Sequence, residues 1–289
     1  MNFKGFPSVE NKGLFMAARQ EIKKGDFVLL GVPLDDTGSF RTGSRFAPEQ
    51  LRAVSRALEE YSMLRGKDLR DISFFDGGDL LLAPGNLLGS VETISQAVAS
   101  LLKAGQRPFL LGGEHTVTVP AVKECQKYHG EVSVLFFDAH ADLRSSYGGV
   151  EFSHACTAYQ LRQMQRVFLY QFGVRSADEE ELSFAREGCF FPYNIKESLK
   201  SILPTLKDSY IYITLDMDVI DPAFAPGVSS PEPGGISAAE ILEIFSLLEP
   251  YQKQVVGFDL VEICPFYDFS QITTLLGAKI VREALLTFL

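Results

Sequence analysis

At 289 residues, with 46% hydrophobic and 22% charged side chains, the chain is long enough to bury most of its apolar surface in one large α/β domain or two small ones. Its formal net charge of -10 argues against the basic face that nucleic-acid binding needs. No apolar run approaches the ~20 residues of a membrane helix, and Met1-Asn-Phe-Lys-Gly5 has no signal-peptide core, so a cytoplasmic protein without a membrane partner is expected. Cys125, Cys156, Cys189 and Cys264 are widely spaced with no C-x-x-C pair, which suits reduced thiols in the cytoplasm.

In chain order, strand-like runs occupy Phe27–Val32, 73–75, 108–111, Val132–Phe137, Val167–Phe172, 210–215 and 255–260, with a weaker run at 189–191. That predicts about eight strands. Segments 48–61, 91–102, 116–128, Ala238–Leu248 and 274–288 carry apolar residues at helical spacing between them. Ser237 with Glu240 reads as an N-cap pair. Several strands are apolar throughout, as in a parallel sheet covered on both faces by helices. The expected fold is α/β, a three-layer αβα sandwich with a mostly parallel sheet. No linker, repeat or low-complexity stretch divides it, so one domain over 1–289 is expected. In such sheets the ligand crevice lies beyond the carboxyl ends of the strands.

Two of these strands end on carboxylates. Val132–Phe137 runs into Asp138-Ala-His140-Ala-Asp142, and 210–215 runs into Asp216-Met-Asp218. On an extended backbone, i, i+2 and i+4 spacing aims each set one way. Carboxylates this close repel one another and are costly beside a buried strand unless cations neutralise them. A polynuclear metal site follows. Gly112-Gly-Glu-His115 follows another strand, its glycines permitting a sharp turn, and His115 would be a sixth ligand. His154, between Ser153 and Cys156, reads equally as a polar loop residue or a functional one. His129, before Gly130, reads as a solvated helix end.

Gly112-Gly-Glu-His115, Asp138-Ala-His-Ala-Asp142, Ser153-His154 and Asp216-Met-Asp-Val-Ile-Asp-Pro222 with Ala225-Pro-Gly227 resemble, in order and spacing, the signatures of the ureohydrolases, the arginase and agmatinase family. The likeness runs from Gly31-Val-Pro33 and Gly43-Ser-Arg-Phe-Ala-Pro48 to Asp259-Leu-Val-Glu262. It implies the arginase-like fold, a homo-oligomer (trimer or hexamer) and a binuclear manganese centre. By this resemblance His115, Asp138, Asp142 and Asp216 hold one ion, and Asp138, His140, Asp216 and Asp218 the other, with Asp138 and Asp216 bridging. Oxygen ligands with some imidazole suit Mn²⁺, while Ni²⁺, Fe²⁺ or Co²⁺ is compatible with the same set. Two such ions can hold water as hydroxide near neutral pH for attack on a guanidinium carbon. The leaving amine then needs a proton from a group that is not a ligand, and His154 matches the family's histidine in that role. Glu262 matches the glutamate that pairs with the guanidinium; read alone it is an ordinary strand-end carboxylate. Asp259 in the same strand reads as a supporting group.

Arginases carry Asn-Thr after the Asp-Ala-His-x-Asp motif and Ser-Gly-Asn before the shuttle histidine, where this chain has Leu143-Arg144-Ser145 and Glu151-Phe152-Ser153. Arginine is therefore disfavoured. Val261-Glu-Ile-Cys-Pro-Phe-Tyr-Asp268 is most similar to bacterial agmatinases, which implies hydrolysis of agmatine to putrescine and urea. The alternative is another small guanidino substrate, such as 4-guanidinobutyrate. Asp178 would suit an ammonium tail and Arg144 a carboxylate tail, and both read equally as surface charges. Gly227-Val-Ser-Ser-Pro231 departs from the family's Gly-Thr-Gly-Thr-Pro, and its role stays open. A single-zinc deacetylase of related fold is weighed against by His115 with Asp142. A non-catalytic relative would have lost ligands, yet all six, His154 and Glu262 are present.

Overall fold

The computed structural model describes residues 6–185 and 190–289. Its strands are β1 (Val9–Glu10), β2 (Phe27–Val32), β3 (Tyr61–Ser62), β4 (Lys67–Asp68), β5 (Phe74–Leu80), β6 (Arg107–Gly112), β7 (Val132–Phe137), β8 (Val167–Phe172), β9 (Phe190–Phe191), β10 (Ile211–Asp216) and β11 (Val255–Val261). The helices are α1 (Ala47–Ser55), α2 (Leu87–Lys103), α3 (Thr118–His129), α4 (Thr157–Gln163), α5 (Glu179–Phe184), α6 (Ile195–Ile202), α7 (Ala238–Leu248) and α8 (Ile272–Phe288). Among the described residues, nine strands form one sheet in the order β1-β5-β2-β6-β11-β10-β7-β8-β9, and β3 and β4 form a separate hairpin. Only β1 is antiparallel to its neighbour within the large sheet.

Strand alternation produces the layers. In β2, Phe27 and Leu29 pack into one apolar cluster, whereas Val28, Leu30 and Val32 pack into another. The same split divides Leu135 and Phe137 from Val134 and Phe136 in β7. Residues of α1, α6, α7 and α8 complete the first cluster, and residues of α2, α3 and α4 complete the second. Both faces are therefore covered, which is why β2, β7, β10 and β11 are buried at every position rather than at alternate ones. The expected three-layer αβα arrangement is present, with a nine-stranded rather than eight-stranded sheet; the added edge strand β1 is too short and polar to register as an apolar run.

Several boundaries differ for identifiable reasons. The run predicted at 73–75 continues through Asp76-Gly-Gly-Asp79 to Leu80, because Arg52 on α1 pairs with both buried aspartates. A charged stretch can thus lie in a buried strand. The helix expected over 48–61 ends at Ser55. Helices α4, α5 and α6 were not expected: α5 is six residues long and exposes Leu182, so it has no apolar stripe to read. Ser237 and Glu240 do form a capping box, with Glu240 N–H donating to Ser237 Oγ and Ser237 N–H to the Glu240 carboxylate. His129 is half-buried, not solvated, its ring 4.3 Å from that of Tyr210, and burial lowers its pKa. Cys125, Cys156 and Cys264 are buried free thiols; Cys189 lies outside the described residues.

Candidate metal centre and active site

β6, β11, β10 and β7 are adjacent and parallel, so they end at one edge of the sheet. At or just past their carboxyl ends come His115, Glu262, the pair Asp216 and Asp218, and the group Asp138, His140 and Asp142. Segments separated by more than a hundred residues thereby supply one site.

The convergence differs in detail from simple strand alternation. Asp142 has φ of 49°, a left-handed turn that an aspartate adopts more readily than most side chains. Asp218 sits in a 3-10 turn, Met217–Val219. Gly112 and Gly113 are not at positive φ; Gly113 is required because a Cβ there would lie 1.9 Å from the Leu34 carbonyl oxygen. Close approach of two chains, rather than a sharp turn, explains that glycine.

Backbone amides orient three of the four aspartates. Asp138 Oδ1 accepts from His140 N–H at 2.6 Å, Asp216 Oδ1 from Asp218 N–H at 2.9 Å, and Asp218 Oδ1 from Ala139 N–H at 2.9 Å. Each keeps Oδ2 for the centre. His115 Nδ1 lies 3.0 Å from Asp138 Oδ2, 3.3 Å from Asp216 Oδ2 and 3.4 Å from Asp142 Oδ2. His140 Nδ1 lies 2.8 Å from Asp218 Oδ2 and 3.5 Å from Asp138 Oδ1. Ligand atoms of His115, Asp138 and Asp142 form one compact group, and those of Asp138, His140 and Asp218 another, each within 4.8 Å.

Hydrogen bonding behind His115 sets which of its nitrogens faces the centre. Thr214 Oγ1 donates to Asp259 Oδ1 at 2.5 Å, so at 2.9 Å it accepts from His115 Nε2–H. That choice leaves Nδ1 with a bare lone pair. His115 Nδ1 and Asp138 Oδ2 are both buried, face one another and have no hydrogen-bond partner. Two electron-rich atoms so placed require a cation. Without a metal, protons are the alternative. Burial, reinforced by neighbouring carboxylates, holds the carboxyls of Asp142 and Asp216 well above their usual range. Burial opposes protonation of His115 and His140, but the surrounding aspartates outweigh it and raise both. Burial would raise Asp138 too, yet the facing imidazoles of His115 and His140 bring it down. The oxygen and imidazole donors fit divalent cations of the Mn²⁺ type.

A cavity of about 300 Å³ opens over these groups and includes His154, Glu262, Arg144, Asp178 and Tyr147 in its walls. Glu262, at φ of 65°, accepts His115 N–H at 2.7 Å, while its own N–H donates to Gly113 O at 2.8 Å. Burial pushes its carboxyl up to about 8, against a hydrogen bond from Ser229. His154 lies 3.1 Å from Thr37 Oγ1 through Nδ1 and 3.3 Å from Ser39 Oγ through Nε2. Burial, then the charges of His140 and His115, push it down to about 4. Asp259 lies buried behind the centre, accepting from Tyr212, Thr118 and Thr214. Arg144 and Asp178 pair with each other: Arg144 Nη2 is 3.2 Å from Asp178 Oδ2 and Nε is 3.3 Å from Glu181 Oε2. Asp178 also caps α5, in a capping box with Glu181. Glu181 is legible in the sequence only through the cap pattern Asp178-x-x-Glu181, whereas Thr37 and Thr214, which also support the site, carry no local signal.

The family model for the Arginase family matches residues 25–287. The chain is 40% identical to an agmatinase of Bacillus subtilis (strain 168), over 95% of this chain and 96% of that protein. It is 33% identical to a guanidinobutyrase of Pseudomonas aeruginosa, over 92% of this chain and 87% of that protein. Among solved structures, the agmatine ureohydrolase of Thermoplasma volcanium superposes with a TM-score of 0.81 at 31% identity, covering 95% of this chain and 94% of that one.

Proposed function

The chain belongs to the arginase family, and on that premise we propose that it hydrolyses agmatine to putrescine and urea at a binuclear manganese centre. It is a ureohydrolase acting on guanidino C–N bonds. The observation that carries the metal reading is the unpartnered, face-to-face pair of His115 Nδ1 and Asp138 Oδ2. His115, Asp138, Asp142 and Asp216 would hold one ion, and Asp138, His140, Asp216 and Asp218 the other. Bound there, the ions supply a water nucleophile that ionises near neutral pH.

The residues perform the remaining tasks. Glu262 lines the cavity, and a guanidinium set against it favours its ionised form while offering the planar, two-pronged pairing that orients the reacting carbon. With its pKa pushed down to about 4, His154 is neutral at pH 7, so it can accept a proton from water and pass it to the leaving amine.

At the cavity rim Arg144 is already paired with Asp178 and Glu181. A carboxylate tail would meet a guanidinium flanked by two like charges; an ammonium tail would meet a trio in which two carboxylates, one of them the half-exposed Asp178, outnumber the single guanidinium. This supports agmatine over 4-guanidinobutyrate, in line with the higher identity to an agmatinase than to a guanidinobutyrase. The reading extends to one domain over 1–289, a cytoplasmic setting and a homo-oligomer. The test couples elemental analysis with urea release from agmatine, 4-guanidinobutyrate and arginine. Two Mn per chain with agmatine preferred is the expected result. Preference for either acid overturns the substrate assignment, and bound metal with no urea from any guanidine overturns the reaction.

A further inference from the structure

Thr37 lies in the loop between β2 and α1, with no role in the chemistry above. Its backbone N–H donates to Glu114 Oε2 at 2.7 Å and its hydroxyl donates to Glu114 Oε1 at 2.9 Å. The same hydroxyl oxygen accepts His154 N–H at 3.0 Å and stands 3.1 Å from His154 Nδ1. A hydroxyl has one proton and two lone pairs. With the proton given to Glu114 and one lone pair to the His154 amide, the remaining lone pair can only accept from Nδ1. Ser153 Oγ, at 3.4 Å from Nδ1, is the weaker neighbour.

From this arrangement we infer that Thr37 is a positioning residue that locks His154 as the Nδ1–H tautomer and reserves Nε2 as the proton-carrying nitrogen. The inference rests on the role proposed for His154. Nε2 is the nitrogen near exposed Ser39, and both Ser39 and His154 line the cavity. Glu114, 1% exposed, holds the Thr37 hydroxyl from behind, so His154 is anchored to one oxygen through both its backbone amide and its ring. A histidine's reactive nitrogen is commonly set by the hydrogen bond its other nitrogen makes, here through an alcohol instead of a carboxylate.

The test uses the full chain with ¹⁵N-labelled histidine, freed of paramagnetic ions by chelation, and turnover of the manganese-loaded enzyme. The His154 signals are identified by their loss in His154→Gln. Nδ1 should be pyrrole-like and Nε2 pyridine-like in the parent protein. In Thr37→Val the Nε2–H form should gain population, and kcat should fall about tenfold or more, a fraction of a general acid–base contribution, with KM little changed. Thr37→Ser should restore both. An Nε2–H tautomer in the parent overturns the inference whether or not Thr37→Val folds; so does an unchanged tautomer in folded Thr37→Val. Because the tautomer is read without substrate, a failed agmatine assay bears on the proposed function and a wrong tautomer on Thr37.

Discussion

Replacing Thr214 by valine removes one hydroxyl from the centre of a buried network while keeping the shape of the side chain. That hydroxyl accepts from His115 Nε2–H, donates to Asp259 Oδ1 and lies 3.2 Å from Thr118 Oγ1. In the variant the His115 N–H is left buried without an acceptor, which costs about 1–3 kcal/mol. Asp259 loses one of its three hydroxyl donors, a bond to a charged group worth about 1.5–3 kcal/mol, while Tyr212 and Thr118 remain on Oδ2. The added methyl recovers about 0.8 kcal/mol. The expected net loss is about 3 kcal/mol, read as a shift in the denaturant midpoint of the metal-free protein at unchanged m-value. His115 would also lose the partner that keeps Nδ1 unprotonated, so metal affinity should fall about 10–100-fold in chelator competition. A stability within about 0.5 kcal/mol of the parent, the range of an ordinary surface change, together with unaltered affinity, would refute the account of His115 orientation.

Arg52→Met leaves Asp76 and Asp79 buried without their shared cation, so unfolding should show a loss of about 3–5 kcal/mol; a neutral result would mean that the aspartates are satisfied elsewhere. His154 binds its proton less readily folded (about 4) than unfolded (6.5), so between those pH values the unfolded state holds more protons and stability falls as pH falls. His154→Gln should remove up to about 3 kcal/mol of that acid sensitivity, seen by comparing denaturation at pH 7 and pH 4; parallel profiles would rule out the depressed pKa. Glu262→Ala should retain metal yet lose turnover, and a drop in metal content on elemental analysis would count against its role in holding substrate.

The sequence alone disclosed the ligand-bearing strand ends. Val132–Phe137 and Ile211–Asp216 are buried at every position, and a mostly apolar, β-rich run that halts on carboxylates is a local pattern, readable without neighbours. The longer helices with apolar faces, α2, α3, α7 and α8, were legible for the same reason. Tertiary structure decided whatever depended on groups distant in the chain. The length of β5 follows from Arg52, the left-handed turn at Asp142 replaces plain alternation, and Thr214 sets the free nitrogen of His115 from 99 residues away. Thr37 meets His154 across 117 residues, and Arg144 finds Asp178 rather than open solvent. Local periodicity records which face of an element is buried; which polar group stands opposite another is set only when the elements pack.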